Sequence, residues 1–230
     1  MDWIGCEVLQ CAHMNTHDIA RYIDHTLLAP TAGAEEVRRL CAEALEYGFA
    51  SVCVNPYWIP LVAELLHRSS TAACGVVGFP LGASLSESKA AEAQLMVSLG
   101  AGELDMVANL GLVKDRNPSV FARDIRLVRA AAPTATLKVI LETGALSHAE
   151  IEWACRIACD EGAQFVKTST GFHKSGGATL EAVSLLRRIA PPGVGVKASG
   201  GIRDREDAER MIEAGASRIG TSSGLAIMGD

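Results

Sequence analysis

The chain has 230 residues, which is long for an average domain but normal for a single α/β barrel. Hydrophobic residues make up 49% of the chain and aromatic residues 5%, so a large core of mainly aliphatic side chains is expected. The formal net charge of −6 argues against non-specific binding to nucleic acid or to an anionic membrane. The seven cysteines are scattered and odd in number, which indicates reduced intracellular thiols rather than a disulfide framework.

The N-terminal residues 1–15 are predicted to be an extension that precedes the fold. They lack the basic start of a secretory signal and include Asp2 and Glu7. No run in the chain approaches the roughly 18 apolar residues of a membrane span. No composition break or linker divides the remainder, so residues 16–230 are predicted to form one domain.

Short runs rich in valine and isoleucine recur along the chain, most of them next to glycine or proline. Such runs are typical of strands that are buried on both faces. We predict strands over residues 22–28, 49–54, 74–79, 103–108, 137–142, 164–169, 194–199 and 217–222.

Amphipathic segments lie between these strands. After the first strand, apolar side chains from Val37 to Leu45 follow helical spacing, and Gly48 is a plausible helix end. Capping-box patterns begin at Ser84 and Ser147, and Asp204 is a further candidate N-cap. Eight strand–helix units favour a single closed (β/α)8 barrel, the TIM-barrel architecture, over its main rival, a doubly wound sheet.

Two lysines lie inside apolar strands, Lys167 in the sixth and Lys197 in the seventh, both near the C-terminal end. Barrel enzymes place their reactive groups at this end. A lysine there must face a polar cavity, extend outward to solvent, or pair with a buried carboxylate. Two ammonium groups in one barrel mouth repel each other, and repulsion and desolvation both lower the pKa of an amine. Because a neutral amine can form a Schiff base with a carbonyl, the pair indicates covalent catalysis. Lys138 begins its strand and is interpreted as structural, at the barrel floor.

Polar residues in other strands complete the candidate catalytic group. Asp105 lies in the fourth strand, where a carboxylate either transfers protons during catalysis or forms a structural ion pair with Lys197, and both roles are compatible. Asp24 and Thr26 lie in the first strand, where they either orient Lys197, bind substrate, or only complete hydrogen bonds.

Three segments rich in Gly, Ser and Thr follow the sixth, seventh and eighth strands, over residues 168–171, 199–201 and 220–224. Glycines allow backbone N–H groups to approach an anion, hydroxyls add donors, and many barrels bind phosphate on these loops. The predicted substrate and phosphate contacts in these segments are Thr170, Gly171, Gly200, Gly201, Gly220, Ser222 and Ser223. The chain has no Walker motif and no dinucleotide fingerprint after a first strand, which gives little support to a nucleotide site.

The order and spacing of these motifs resemble the deoxyribose-phosphate aldolases. The runs over residues 165–172 and 196–203 carry the resemblance, and it extends from about residue 16 to the end. Supporting motifs lie at residues 24–28, 77–82, 103–107, 138–143 and 218–223. Some members of that family have a lysine directly after the Thr-Gly of the sixth strand, where this chain has Phe172.

The resemblance implies reversible cleavage of 2-deoxy-D-ribose 5-phosphate into D-glyceraldehyde 3-phosphate and acetaldehyde. It implies a cytoplasmic class I aldolase that needs no metal or other cofactor and that forms a homodimer. By motif, Lys167 matches the Schiff-base lysine, and Asp105 and Lys197 match the proton-transfer pair.

Other functions stay open at this stage. A Schiff-base aldolase for a keto-sugar phosphate or a keto acid would share Lys167 but would need a different pocket. A barrel that only binds a phosphosugar is a further alternative, although mere binding does not require a neutral amine. A metal-dependent aldolase is disfavoured because the six histidines form no ligand cluster in the sequence.

Overall fold

A computed structural model describes residues 16–229, within which the chain forms eight parallel strands. The predicted extension, residues 1–15, lies outside the described residues, as does Asp230. The strands are β1 (Ile23–Leu27), β2 (Ser51–Val54), β3 (Ala72–Val77), β4 (Glu103–Val107), β5 (Thr136–Ile140), β6 (Phe165–Lys167), β7 (Gly195–Ser199) and β8 (Arg218–Thr221). Each strand overlaps the range predicted from the sequence.

The sheet closes on itself in sequential order, from β1 to β8. The closing contact pairs β1 with β8 in parallel, with Ile23 opposite Ile219 and Asp24 opposite Gly220. A doubly wound sheet would leave two open edges instead. The predicted (β/α)8 barrel is therefore confirmed, and all eight strand ends meet at one face of the barrel.

Helices precede, connect and follow the strands within the described residues. They are α1 (Thr16–Ala20), α2 (Ala34–Tyr47), α3 (Ile59–Leu65), α4 (Ser86–Ser98), α5 (Leu110–Lys114), α6 (Pro118–Ala131), α7 (His148–Asp160), α8 (Leu180–Ile189), α9 (Arg205–Glu213) and α10 (Gly224–Met228). Two single turns of 3-10 helix occupy Pro56–Trp58 and Thr143–Ala145. Among residues 16–229, no helix is both long and apolar enough to cross a membrane.

The helix α2 shows how the apolar pattern produces packing. The predicted stripe turns Val37, Leu40 and Ala44 into the core, whereas Leu45, at its edge, is 43% exposed. The helix stops at Gly48, which has the left-handed φ of 71° that a residue without a β-carbon adopts easily.

Two of the three predicted caps are confirmed. Ser147 forms a reciprocal capping box at the start of α7, and the Asp204 carboxylate accepts a hydrogen bond from Asp207 N at the start of α9. The predicted box at Ser84 is wrong, because α4 begins at Ser86 and the Glu87 carboxylate accepts a hydrogen bond from Arg123 instead. One residue, Leu85, therefore separates this serine from the helix and takes the N-cap position.

The centre of the barrel contains charged side chains. Asp24, Asp105, Lys138 and Lys197 come from four different strands and are all completely buried. Burying an ion is costly unless it is paired, so these residues must satisfy one another. A small apolar cluster lies against them and consists of Leu28, Cys53, Cys74, Val76 and Phe79.

Candidate active site

The three residues predicted as catalytic converge inside the barrel, with Lys167 at the C-terminal end of β6. Asp105 Oδ2 on β4 lies 2.7 Å from Lys167 Nζ on β6 and 2.7 Å from Lys197 Nζ on β7. The two lysines occupy the same level, because Lys167 pairs with Lys197 in the ladder between β6 and β7. One carboxylate oxygen therefore bridges two amines from neighbouring strands.

Lys138 belongs to the same cluster, which corrects its interpretation from the sequence. Its Nζ lies 2.8 Å from Asp105 Oδ1, 2.6 Å from Glu103 Oε2 and 3.3 Å from Cys74 Sγ. The lysine is buried and paired, as a structural role requires, but it also contacts the second oxygen of Asp105, the carboxylate that was predicted to be catalytic. Asp105 and Lys138 pair directly in the ladder between β4 and β5, which sets this contact.

Asp24 is placed beneath the pocket rather than on its surface. Its Oδ2 lies 2.5 Å from Lys197 Nζ, and its Oδ1 accepts a hydrogen bond from Arg218. Asp24 is completely buried and does not line the pocket. Of the roles considered from the sequence, the structure supports the orientation of Lys197 and not substrate contact. Thr26, two residues along β1, does line the pocket, and its hydroxyl donates to Asp24 O at 2.8 Å.

The electrostatics of the cluster fix the charge on its buried members. Burial alone would raise the pKa of Asp105, but Lys138, Lys167 and Lys197 outweigh it and hold that pKa well below its ordinary value. Burial alone would lower the pKa of Lys197, but the carboxylates of Asp105 and Asp24 raise it above its ordinary value. At neutral pH, Asp105 is thus a carboxylate and Lys197 an ammonium.

Lys167 differs from the other two lysines in its access to solvent. It is 3% exposed and lines a pocket of about 490 Å³, whereas Lys138 and Lys197 are 0% exposed and do not line it. Of these three amines, Lys167 is the one that a substrate in the pocket can reach. The predicted nucleophile is therefore the lysine with the access that a nucleophile needs.

The pocket is built by the ends of β1, β6, β7 and β8. Eight of the nine residues predicted to contact substrate or phosphate line it, and Asp24 is the exception. The eight are Thr26, Thr170, Gly171, Gly200, Gly201, Gly220, Ser222 and Ser223. Leu27, Leu28, Ala29, Pro30, Phe172 and Ile202 add apolar surface.

Unused backbone donors surround this pocket. The N–H groups of Gly171, Gly200, Gly201 and Ser222 donate to no other residue within the described chain. Gly171, Gly200 and Gly201 have φ values of 80°, 88° and 84°, in the region that favours glycine. Backbone N–H groups grouped in this way form an anion-binding concavity.

Sequence reasoning missed two contributors to these loops. Arg203 lines the pocket and brings a positive charge to the segment after Gly200-Gly201. The sequence contained a signal for it, because this arginine directly follows a Gly-Gly-Ile run in a predicted phosphate loop. Gly177 packs against the loop after β7, because a β-carbon there would lie 2.1 Å from Gly200 O. No local pattern identifies that contact, since Gly177 lies on a different loop.

Gly220 has a packing role in addition to its place in the pocket wall. A β-carbon at this position would lie 2.9 Å from Lys197 Cε and 2.9 Å from Ser199 Cβ. The absence of a side chain on β8 therefore provides the space that the Lys197 side chain fills.

One group in the described residues has the composition of a metal site. The sulfur atoms of Cys53 and Cys74 and a carboxylate oxygen of Asp105 lie within 4.8 Å of one another. Burial raises the pKa of the Cys74 thiol well above its ordinary value, which disfavours a thiolate there, whereas the hydrogen bond with Cys74 lowers the pKa of Cys53, so at most one of the two sulfur atoms is a ready metal ligand. The ammonium groups that contact Asp105 would also repel a cation. These residues do not fit a metal ion.

Comparisons with known proteins identify the family of the chain. The profile of the family described as DeoC/LacD family aldolase matches residues 19–229. The deoxyribose-phosphate aldolase of Brevibacillus brevis is 54% identical over 208 residues, which cover 90% of this chain and 94% of that protein. Deoxyribose-phosphate aldolase 1 of Bacillus licheniformis is 53% identical over 214 residues, which cover 93% of this chain and 96% of that protein.

A solved structure shares both fold and sequence with the chain. The deoxyribose phosphate aldolase of Aeropyrum pernix, described as having a unique tetrameric structure, superimposes with a TM-score of 0.85 at 37% identity. The match covers 94% of this chain and 91% of that one. From the family profile, the relatives and the barrel together, the chain belongs to the DeoC/LacD family of aldolases.

Proposed function

We propose that the chain reversibly cleaves 2-deoxy-D-ribose 5-phosphate into D-glyceraldehyde 3-phosphate and acetaldehyde, in the breakdown of deoxyribonucleosides. The observation that carries the proposal is Lys167 Nζ, which faces the pocket while Asp105 holds it at 2.7 Å. Relatives that share about half of their residues with the chain are named for this activity.

The first stage forms a bond between Lys167 Nζ and C1 of the open-chain sugar. The neutral amine attacks the aldehyde, and the resulting carbinolamine loses water to give an iminium ion. Asp105 and Lys197 transfer protons in this stage, because the Asp105 carboxylate contacts both the Lys167 amine and the Lys197 ammonium.

The second stage breaks the C2–C3 bond. As the C3 hydroxyl loses its proton, the electron pair of that bond moves into the iminium, which becomes an enamine. C3 leaves as the aldehyde carbon of glyceraldehyde 3-phosphate. A proton then adds to C2 of the enamine, and water hydrolyses the new iminium to acetaldehyde and free Lys167. The iminium itself supplies the electron sink, so the reaction needs no cofactor.

The phosphate is proposed to bind on the loops after β6, β7 and β8. The free N–H groups of Gly171, Gly200, Gly201 and Ser222 and the Arg203 side chain supply donors and positive charge there. A phosphate held at this end fixes the aldehyde end near Lys167. Such positioning can contribute several kcal/mol to a reaction.

The test is product analysis with 2-deoxy-D-ribose 5-phosphate as substrate. The unmodified protein is expected to release acetaldehyde and glyceraldehyde 3-phosphate in equal amounts, each measured with its own coupled dehydrogenase. Lys167→Leu is expected to release neither, and a circular dichroism spectrum shows whether that variant is folded.

Two results would contradict the proposal. Cleavage of a keto-sugar phosphate or a keto acid in preference to this substrate would assign the site to another Schiff-base aldolase. Binding of the sugar phosphate without turnover would indicate that the protein only binds phosphosugars.

We also propose that the protein is a cytoplasmic homodimer, as the family resemblance implies. The tetramer described for the Aeropyrum pernix enzyme is an alternative assembly of the same fold. Light scattering after gel filtration measures the number of copies, and two are expected.

A further inference from the structure

We propose that Glu142 is a positioning residue that shapes the phosphate-binding loop after β6 by holding Thr170. The inference rests on the proposed function, because it assigns a cause to the shape of the proposed phosphate site. Glu142 lies two residues after the end of β5 and does not line the pocket. Any effect that it has on substrate must therefore pass through the residues that it contacts.

The backbone of Glu142 adopts an unusual conformation. Its φ of 54° and ψ of 58° lie in the left-handed region, which a β-carbon disfavours. Its side chain is 2% exposed. Residues held in this way at the end of a barrel strand often serve a site, provided that their contacts explain the conformation.

The contacts of Glu142 converge on one residue. Its Oε2 accepts a hydrogen bond from the Thr170 hydroxyl at 2.6 Å, and its two oxygens lie 3.2 and 3.3 Å from Thr170 N. The Thr170 oxygen in turn accepts a hydrogen bond from Phe172 N at 3.1 Å. Both donors of Thr170 are thus directed at Glu142, and neither is available to a phosphate.

This chain of hydrogen bonds encloses Gly171. The residues on both sides of Gly171 are fixed, Thr170 by Glu142 and Phe172 by Thr170, while the Gly171 N–H has no partner among residues 16–229. Gly171 lines the pocket with a φ of 80°. Through these contacts, Glu142 keeps the Gly171 N–H free to donate to a phosphate in the pocket.

The chemistry of the contact explains why a carboxylate is present. Two donors of Thr170 meet one side chain, and a carboxylate has acceptors only. Glutamine has the same shape but presents an NH2 group in place of one acceptor oxygen. Glu142→Gln consequently turns one attractive contact into a repulsive one without creating a cavity.

The nucleophile is held independently of this contact. Lys167 Nζ donates to Asp105, and the backbone of strand β6 is tied to β5 by the bond from Leu141 N to Lys167 O at 2.9 Å. Loss of the Glu142 contact is expected to affect phosphate recognition and to leave Schiff-base formation intact.

The experiment compares 2-deoxy-D-ribose 5-phosphate with unphosphorylated 2-deoxy-D-ribose in the full-length protein. Glu142→Gln is expected to raise KM for the phosphorylated sugar about tenfold, with kcat unchanged, because one contact with Thr170 N becomes repulsive and the Thr170 hydroxyl no longer donates to a charged group. Its kcat/KM for the unphosphorylated sugar is expected to stay at the level of the unmodified protein.

Three variants control this comparison. Thr170→Val removes the same hydroxyl from the other side, and combined with Glu142→Gln it is expected to add little to the effect of either change. Thr170→Ser retains the hydroxyl and is expected to keep KM low. Glu92→Gln is the matched substitution, because Glu92 accepts a hydrogen bond from Gly78 N at 2.8 Å in a loop that does not line the pocket. It is expected to leave both sugars unaffected.

If Glu142 has a purely structural role, Glu142→Gln will lower kcat/KM for both sugars by the same factor. That result would overturn the inference, and so would an unchanged KM for the phosphorylated sugar. If Glu142→Gln does not fold, Thr170→Val decides by the same criteria. Calorimetry with inorganic phosphate separates this inference from the proposed function. Weaker phosphate binding by Glu142→Gln supports the role of Glu142 even if the unmodified protein does not cleave deoxyribose 5-phosphate, and equal binding overturns it.

Discussion

Replacement of Gly220 by alanine tests whether the buried charges depend on the space that this glycine leaves. The added β-carbon would lie 2.9 Å from Lys197 Cε, whereas ordinary contacts between carbon atoms are about 3.5–4.0 Å. Lys197 would therefore have to move by roughly 1 Å. Its Nζ is held 2.7 Å from Asp105 and 2.5 Å from Asp24, so a movement of this size breaks at least one ion pair.

The magnitude of the effect follows from this displacement. A misplacement of about 1 Å in a catalytic group can lower a rate about 100-fold. Extra atoms in a packed core cost about 1–3 kcal/mol of stability. We expect Gly220→Ala to lower kcat for deoxyribose 5-phosphate cleavage about 100-fold and the free energy of unfolding by about 1–3 kcal/mol.

The assay measures acetaldehyde release by a coupled dehydrogenase, and urea unfolding measures stability. Gly102→Ala is the matched control, because a β-carbon there meets no atom closer than Ala72 Cβ at 3.9 Å. It is expected to retain activity. A folded Gly220→Ala variant with full kcat would refute the idea that the position of Lys197 matters to turnover.

Three further predictions concern charge, phosphate and metal. The adjacent lysines hold the pKa values of Asp24 and Asp105 below the ordinary value in the folded protein. As the pH falls, these two carboxylates are therefore protonated in the unfolded chain at a higher pH than in the folded one. The free energy of unfolding should therefore decrease as the pH falls below about 4. In urea unfolding at a series of pH values, Asp24→Asn should make this dependence on pH weaker. An unchanged dependence would count against the ion pairs. Arg203→Ala is expected to raise KM for the phosphorylated sugar about tenfold while kcat is kept, because one charge-assisted contact is lost; an unchanged KM would remove Arg203 from the phosphate site. EDTA is expected to leave the cleavage rate intact, and a large loss that zinc restores would point to a metal.

The fold could be predicted because its signals are local. Each strand is a short apolar run, and helices such as α2 carry an apolar face and a terminal glycine of their own. Strand ends were less predictable. Strand β6 was predicted over residues 164–169 but covers Phe165–Lys167, because Thr168 leaves the ladder and its hydroxyl accepts a hydrogen bond from Ser199 N. Side-chain bonds of this kind depend on a neighbouring strand that the local sequence does not reveal.

The convergence of Asp105, Lys167 and Lys197 could be predicted because charged side chains in apolar strands are conspicuous. The contacts of Lys138 could not, because they depend on where its strand begins and on which side chains of the neighbouring strand face it. Lys138 was placed at the start of its strand, but β5 begins at Thr136, so Lys138 is its third residue and pairs with Asp105, the third residue of β4. Thr170 was predicted to contact substrate, but its donors are directed at Glu142, which lies 28 positions earlier in the chain. The partner of a hydroxyl is set by tertiary packing.

The measurement that tests the account most directly is reduction of the protein with borohydride in the presence of acetaldehyde, followed by mass analysis of peptides. The account predicts one added ethyl group on Lys167, and no adduct on Lys197 or Lys138, because Lys167 is the amine of the three that faces the pocket. An adduct on Lys197 alone, or the same yield of adduct in Lys167→Leu, would contradict it.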